Sequence, residues 1–233
     1  MSKLLTTLLL TLWLSVGATW ASDFEDGLAA ANKQDYVTAI KKFRIAAEKG
    51  NASAQLMLGL GYAAGTGVAQ DYEEAVRWWK LAAAQGDAGS QTYLGNMYKN
   101  GHGVVQDYAE AARLYKLAAA QGNASAQSNL GYMYDIGRGV VQDYAAAVRW
   151  YKLAAAQGDA SAQNNIGNMY GIGQGVVQDY VKAHMWYNLA AVTGHANAVK
   201  GRDIVAKLMT PQQIADAQKL ARECQARNFK NCD

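Results

Sequence analysis

In residues 124–134, Ala-Ser-Ala-Gln-Ser-Asn-Leu-Gly-Tyr-Met-Tyr, the apolar positions Ala126, Leu130, Met133 and Tyr134 recur at helical spacing. The pattern breaks at a Gly-x-Gly loop, Ile136-Gly137-Arg138-Gly139-Val140-Val141. It resumes after Asp143, whose carboxylate suits the unsatisfied N–H groups of a helix start. Tyr144, Ala147, Val148, Tyr151, Leu153 and Ala154 then predict a second helix with a wide apolar face. Gly158 is placed to stop that helix in a left-handed conformation, and Asp159 to cap the next one. The stretch reads as one helical hairpin.

That hairpin recurs. Tyr72, Tyr108, Tyr144 and Tyr180 are 36 residues apart, as are Gly59, Gly95, Gly131 and Gly167, then Gly67, Gly103, Gly139 and Gly175. The segments 52–87, 88–123, 124–159 and 160–195 superimpose without a gap. A single hairpin cannot bury its own apolar faces, so neighbours must stack into a continuous core. Alanine-rich second helices, Leu81-Ala82-Ala83-Ala84 and its copies, let axes approach closely while aromatic columns fill the remaining space.

The pattern Leu-Gly-x-Met-Tyr…Gly-x-Gly-Val…Asp-Tyr…Ala…Trp-Tyr-x-x-Ala-Ala…Gly resembles the Sel1-like repeat family, relatives of the tetratricopeptide repeat. The resemblance covers four full units within 51–195 and implies an all-α fold, a right-handed α/α superhelix or solenoid. Residues 22–50 resemble a tetratricopeptide-like N-terminal repeat with a shorter inter-helix loop: Gly27 to Ala39 is 12 residues, Gly59 to Ala75 is 16. Residues 196–233 are expected to cap the array. An amphipathic helix over 196–209 precedes a second that opens with Thr210 as cap, Pro211 in the first turn and Gln213 at the capping-box position. Ile214, Ala217 and Leu220 are expected to cover the last repeat, with Lys219, Arg222 and Glu223 facing water.

Composition narrows the function classes. At 51% hydrophobic and 18% charged, the chain is not a disordered polyelectrolyte. A net charge of +3, evenly spread, does not describe a nucleic-acid binder. Lys3, the apolar run Leu4–Val16 and the small residues Thr19 and Ala21 predict a signal peptide over 1–21, cut after Ala21. The alternative is a membrane anchor, because Leu4–Ser22 carries no charge. Cleavage implies a periplasmic or secreted protein with no integral membrane segment. An even cysteine count in such a compartment favours a disulfide between Cys224 and Cys232, with free thiols or an intermolecular bridge as alternatives.

Signatures of catalysis are missing from the sequence: Gly-x-Ser-x-Gly, His-Glu-x-x-His and Ser-x-x-Lys do not occur. The Gly-x-Gly-x-x-Gln stretches at Gly101, Gly137 and Gly173 lack a third glycine and a preceding strand, so they read as loops. His102 falls in a loop column, His195 where Asp or Asn caps other units, and His184 in the apolar column of Val76, Ala112 and Val148. No catalytic residue, metal or cofactor is expected.

Recognition is the remaining class. Ala54, Leu58, Gly59 and Tyr62 recur in most first helices, whereas four columns vary: Leu56/Thr92/Ser128/Asn164, Met57/Tyr93/Asn129/Asn165, Leu60/Asn96/Tyr132/Asn168 and Ala63/Lys99/Asp135/Gly171. Their spacing puts them on one side of a helix, and the resemblance implies that first helices line a concave surface. The expected partner site is therefore Leu56, Leu60, Tyr93, Asn96, Lys99, Asn129, Tyr132, Asp135, Asn165 and Asn168. It would be apolar at its N-terminal end and rich in Asn and Tyr further on. Asn offers a donor and an acceptor to an extended backbone, and Tyr offers flat area with a hydroxyl. The expected function is an exported adaptor or scaffold that binds a protein or peptide. The resemblance also suggests a periplasmic immunity or inhibitor protein against a secreted effector. A β-lactam or cell-wall activity, assigned to cysteine-rich relatives, would need the paired cysteines within each repeat that this chain lacks.

Overall fold

A computed structural model describes residues 22–232; the expected leader, 1–21, lies outside the described residues. Among the described residues twelve helices follow one another: α1 (22–32), α2 (Tyr36–Glu48), α3 (Ala52–Ala64), α4 (Tyr72–Ala84), α5 (Ala88–Asn100), α6 (Tyr108–Ala120), α7 (Ala124–Ile136), α8 (Tyr144–Ala155), α9 (Ala160–Ile172), α10 (Tyr180–Val192), α11 (Ala196–Ala206) and α12 (Pro211–Ala226). No strand occurs among the described residues. Contacts divide the chain into two units, one ending at Asp107 with α1–α5 and one beginning at Tyr108 with α6–α12.

Helix ends are set by the residues expected to set them. Asn51 and Asp71 cap α3 and α4 in the first unit. Asp143, Asp159 and Asp179 cap α8, α9 and α10 in the second. His195 takes the same role for α11, its Nδ1 accepting from the Ala198 N–H at 3.3 Å. At α12, Thr210 and Gln213 form the full capping box.

In the hairpins that open with α1, α3, α7 and α9, a glycine of the first helix leaves room for an aromatic ring from the second. Gly27 faces Phe43, and Gly59 faces Trp79, in the first unit. A Cβ at Gly131 would lie 2.7 Å from the Tyr151 ring, and one at Gly167 2.7 Å from Tyr187, so those rings rest on bare backbone. Stacking uses a different glycine. Gly139 and Gly175, at φ of 72° and 69°, place their α-carbons against the first peptide of α6 and α8, at Tyr108 and Tyr144. Any side chain there would be doubly excluded, by backbone conformation and by the neighbouring helix.

A glutamine ladder runs beside these contacts. Buried Gln127 donates from Nε2 to the Ala119 carbonyl at 3.2 Å, and Gln157 donates to the Gln127 Oε1 at 2.9 Å. In the first unit Gln55 donates to the Ala47 carbonyl at 3.1 Å and accepts from Gln85 at 2.8 Å. Each ladder carbonyl lies in the last turn of a helix and also accepts from the N–H of the glycine that follows, Gly50 for Ala47 and Gly122 for Ala119, so the glutamine adds a second donor and ties the next hairpin to that turn.

Leu153 departs from the expected apolar face of α8: it is exposed. It lies two residues from buried Tyr151, about 200° around the helix, so it points outward while Ala154 and Ala155 take the inward positions. α11 also stops at Ala206, short of the expected 209. α12 packs on α10, and its Ala221 and Cys224 share one buried cluster with Met185 and Leu189. A disulfide joins Cys224 to Cys232.

Candidate functional site

In the first unit, Leu56 and Leu60 on α3 are half-buried, while α5 carries Tyr93, Asn96 and Lys99. The Tyr93 ring stacks on Trp79 at 5.2 Å with 15° between planes, and the indole N–H of Trp79 donates to the Leu56 carbonyl at 3.3 Å. One aromatic plate thus braces the exposed tyrosine from below. Lys99 is half-buried, and that burial lowers its pKa.

In the second unit, Asn129, Tyr132 and Asp135 lie on α7, and Asn165 and Asn168 on α9. Tyr132 and Asn168 are exposed; Asn129, Asp135 and Asn165 are half-buried. Two of these polar groups already serve the hairpin that carries them. The Tyr151 hydroxyl donates to Asp135 Oδ2 at 3.3 Å, and the Tyr187 hydroxyl donates to Asn168 Oδ1 at 2.7 Å. Burial raises the Asp135 pKa, with the Tyr151 hydrogen bond opposing the shift. Burial raises the phenols of Tyr151 and Tyr187 as well, so both remain donors at neutral pH. Asn168 keeps its amide N–H groups for a ligand; Asp135 is the more committed to structure.

The variable first-helix columns continue into α11. Lys200 stands 36 residues after Asn164, and Ile204 stands 36 after Asn168, so α11 extends both variable columns. Between α9, α10 and α11 lies a cleft of about 350 Å³ lined by Asn168, Ile172, Asn197, Lys200, Ile204 and Leu208. Gly171, Gly201 and Tyr187 also border it, and a Cβ at Gly201 would come within 2.6 Å of the Tyr187 ring. Ile172, Ile204 and Leu208 are all exposed. Three exposed aliphatic side chains beside a lysine and two amides form an apolar anchor pocket with a polar rim. Carrying the 36-residue register past His195 finds Lys200 and Ile204 from sequence alone.

The histidines lie elsewhere. His184 is buried in α10, its pKa lowered first by burial and then by Arg202, with Asp203 opposing. His102 stacks on Tyr72 in a loop of the first unit. Among the described residues, no group of three or more His, Cys, Asp and Glu side chains is placed to hold a metal ion. No helix among them is long and apolar enough to cross a membrane.

Comparison with known proteins agrees with this architecture. The Sel1 repeat family model matches residues 25–51, 52–87, 88–123, 124–159 and 160–191, taking in the short-looped first hairpin as well. A Sel1 repeat protein from Oxalobacter formigenes is similar at 33% identity and TM-score 0.73, over 88% of this chain and 88% of that one. The protective antigen c5321 of uropathogenic Escherichia coli, with an SLR fold, is similar at 32% identity and TM-score 0.77, over 93% of this chain. This chain spans about half of that protein, 48% of its length. The immunity protein Pa5087 from Pseudomonas aeruginosa shares the fold at 21% identity and TM-score 0.54, over 91% of this chain and 84% of that one. Among curated proteins, no sequence matches. Sel1 repeats generally mediate protein–protein interaction and generally act as non-enzymatic scaffolds.

Proposed function

Because this chain belongs to the Sel1 repeat family, we propose that it is an exported adaptor holding a protein or peptide partner on its first-helix face. The cleft bordered by Ile172, Lys200 and Ile204 carries this reading, because it is the place where exposed apolar surface, amide groups and a cation converge on the variable columns. An extended partner would seat an apolar side chain among Ile172, Ile204 and Leu208. Its backbone would pair with the amides of Asn168 and Asn197, and a carboxylate would lie near Lys200. Tyr132 adds a second, exposed anchor on α7. The expected leader supports a periplasmic or secreted location for this work.

The test is capture from the envelope fraction by the purified chain and by the triple variant Tyr132→Ala, Lys200→Glu, Ile204→Ser. These residues are exposed, so far-UV helicity should be unchanged while the captured partner is lost. Equal capture by a folded variant would place the site elsewhere. Neutralisation of a secreted effector would use the same face; the likeness to the Pseudomonas protein extends to fold alone, and titrating the chain against such an effector tests that narrower role.

A further inference from the structure

The outward face of the second helices repeats a pattern that the core does not require. Arg113 and Arg149, Lys116 and Lys152, and Leu117 and Leu153 occupy equivalent positions on α6 and α8. Leu117 is 44% exposed and Leu153 50%. A single exposed leucine means little, but one recurring in register beside the same two bases defines a cationic, apolar stripe. Glu110 holds Arg113 at 2.7 Å. On α8, Ala146 stands in the place of that carboxylate, and Arg149 makes no ion pair among the described residues. Lys116 and Lys152 lie near the Tyr134 and Tyr170 rings, at 5.8 Å and 6.0 Å from the ring centroids.

α10 shows what this register accepts. There Met185 and Asn188 stand where α8 has Arg149 and Lys152, and Leu189, equivalent to Leu153, is only 2% exposed. The cover is α12, an amphipathic helix of the same chain. A helix therefore lies on this face where its bases are replaced by uncharged residues. On α6 and α8 the leucines stay open and the bases are kept, so the complementary occupant is a helix carrying carboxylates beside its apolar stripe.

We propose that the outward face of α6 and α8 docks an acidic amphipathic helix of a partner protein, with apolar contacts on Leu117 and Leu153 and carboxylates on Arg149, Lys116 and Lys152. The probe is a fluorescent peptide of about 16 residues, long enough to hold helix, with leucines on one face flanked by glutamates. Its twin has lysines for glutamates. Fluorescence anisotropy with the full chain should show binding of the glutamate peptide, weakened by salt, and at least about tenfold weaker binding of the lysine twin. Leu117→Ser with Leu153→Ser, and separately Arg149→Glu, should each weaken the glutamate peptide by about tenfold with unchanged thermal unfolding. Equal binding of the two peptides by the unaltered chain overturns the proposal and requires no variant. So does binding that these substitutions leave intact. Anionic phosphatidylglycerol vesicles supply the last arm: vesicle binding lost on substitution, with no peptide binding, would assign the stripe to a membrane surface and overturn it too.

Discussion

α8 and α10 are second helices of consecutive repeats, and their inward sides are nearly interchangeable. Both start from an Asp cap followed by Tyr, both bury Ala147 or Ala183, and both lay a tyrosine on a glycine of the preceding helix. Their outward sides differ. Arg149, Lys152 and Leu153 meet water or half-meet it, whereas Met185 and Leu189 lie under α12. The inward columns answer to hairpin geometry, which every repeat shares, while the outward columns answer to whatever lies over them. A repeat sequence thus fixes its core once and redraws its surface hairpin by hairpin.

The most disruptive way to break the comparison is to give α10 the face of α8. Met185→Arg would bury a charge without a partner, costing about 3–5 kcal/mol or driving α12 off α10. Hydrogen exchange in α12 should rise sharply either way. The reciprocal Arg149→Met should shift the urea midpoint by no more than about 0.5 kcal/mol equivalent. The inward columns, by contrast, should respond alike: Gly131→Val and Gly167→Val each overpack a tyrosine ring and should cost about 3 kcal/mol in chemical denaturation.

Reducing the Cys224–Cys232 bond releases the tail that follows the helix covering α10. The two cysteines are 8 residues apart, and loss of so short a loop should lower stability by about 2–3 kcal/mol, with α8 undisturbed by the same reagent. A smaller effect separates the helices by pH. His184 on α10 has a folded pKa below its ordinary value, so the unfolded chain binds the proton more readily. Its contribution is complete above about pH 6.5 and is lost as the pH falls below that. His184→Phe should flatten this part of the stability profile; α8, with Val148 at the equivalent position, supplies no such dependence.

The hairpin register, the caps and the burial of His184 were legible because each depends on residues a fixed distance apart in one repeat. The outward turn of Leu153 was not, since counting apolar residues does not say on which side of a helix the neighbouring alanines already fill the core. The glutamine ladder was hidden for a related reason. Gln55, Gln91, Gln127 and Gln163 keep one column, but their partners are carbonyls of the preceding helix, which no side-chain pattern reveals. Asp135 and Asn168 looked free for recognition because the tyrosines they bind sit on the facing helix. Motif similarity fades after His195, so the sequence presents α11 as a cap, although its spacing still extends the variable columns through Lys200 and Ile204.

Photo-crosslinking from the first-helix face tests the functional account most directly. A photoreactive residue placed at Ile204, and in a second protein at Tyr132, should join the same envelope protein, while one placed at Val105 in the first unit should not. A common adduct from the two first-helix-face positions is the predicted result; adducts that form equally well from Val105, or different ones from Ile204 and Tyr132, would contradict a partner seated along that face.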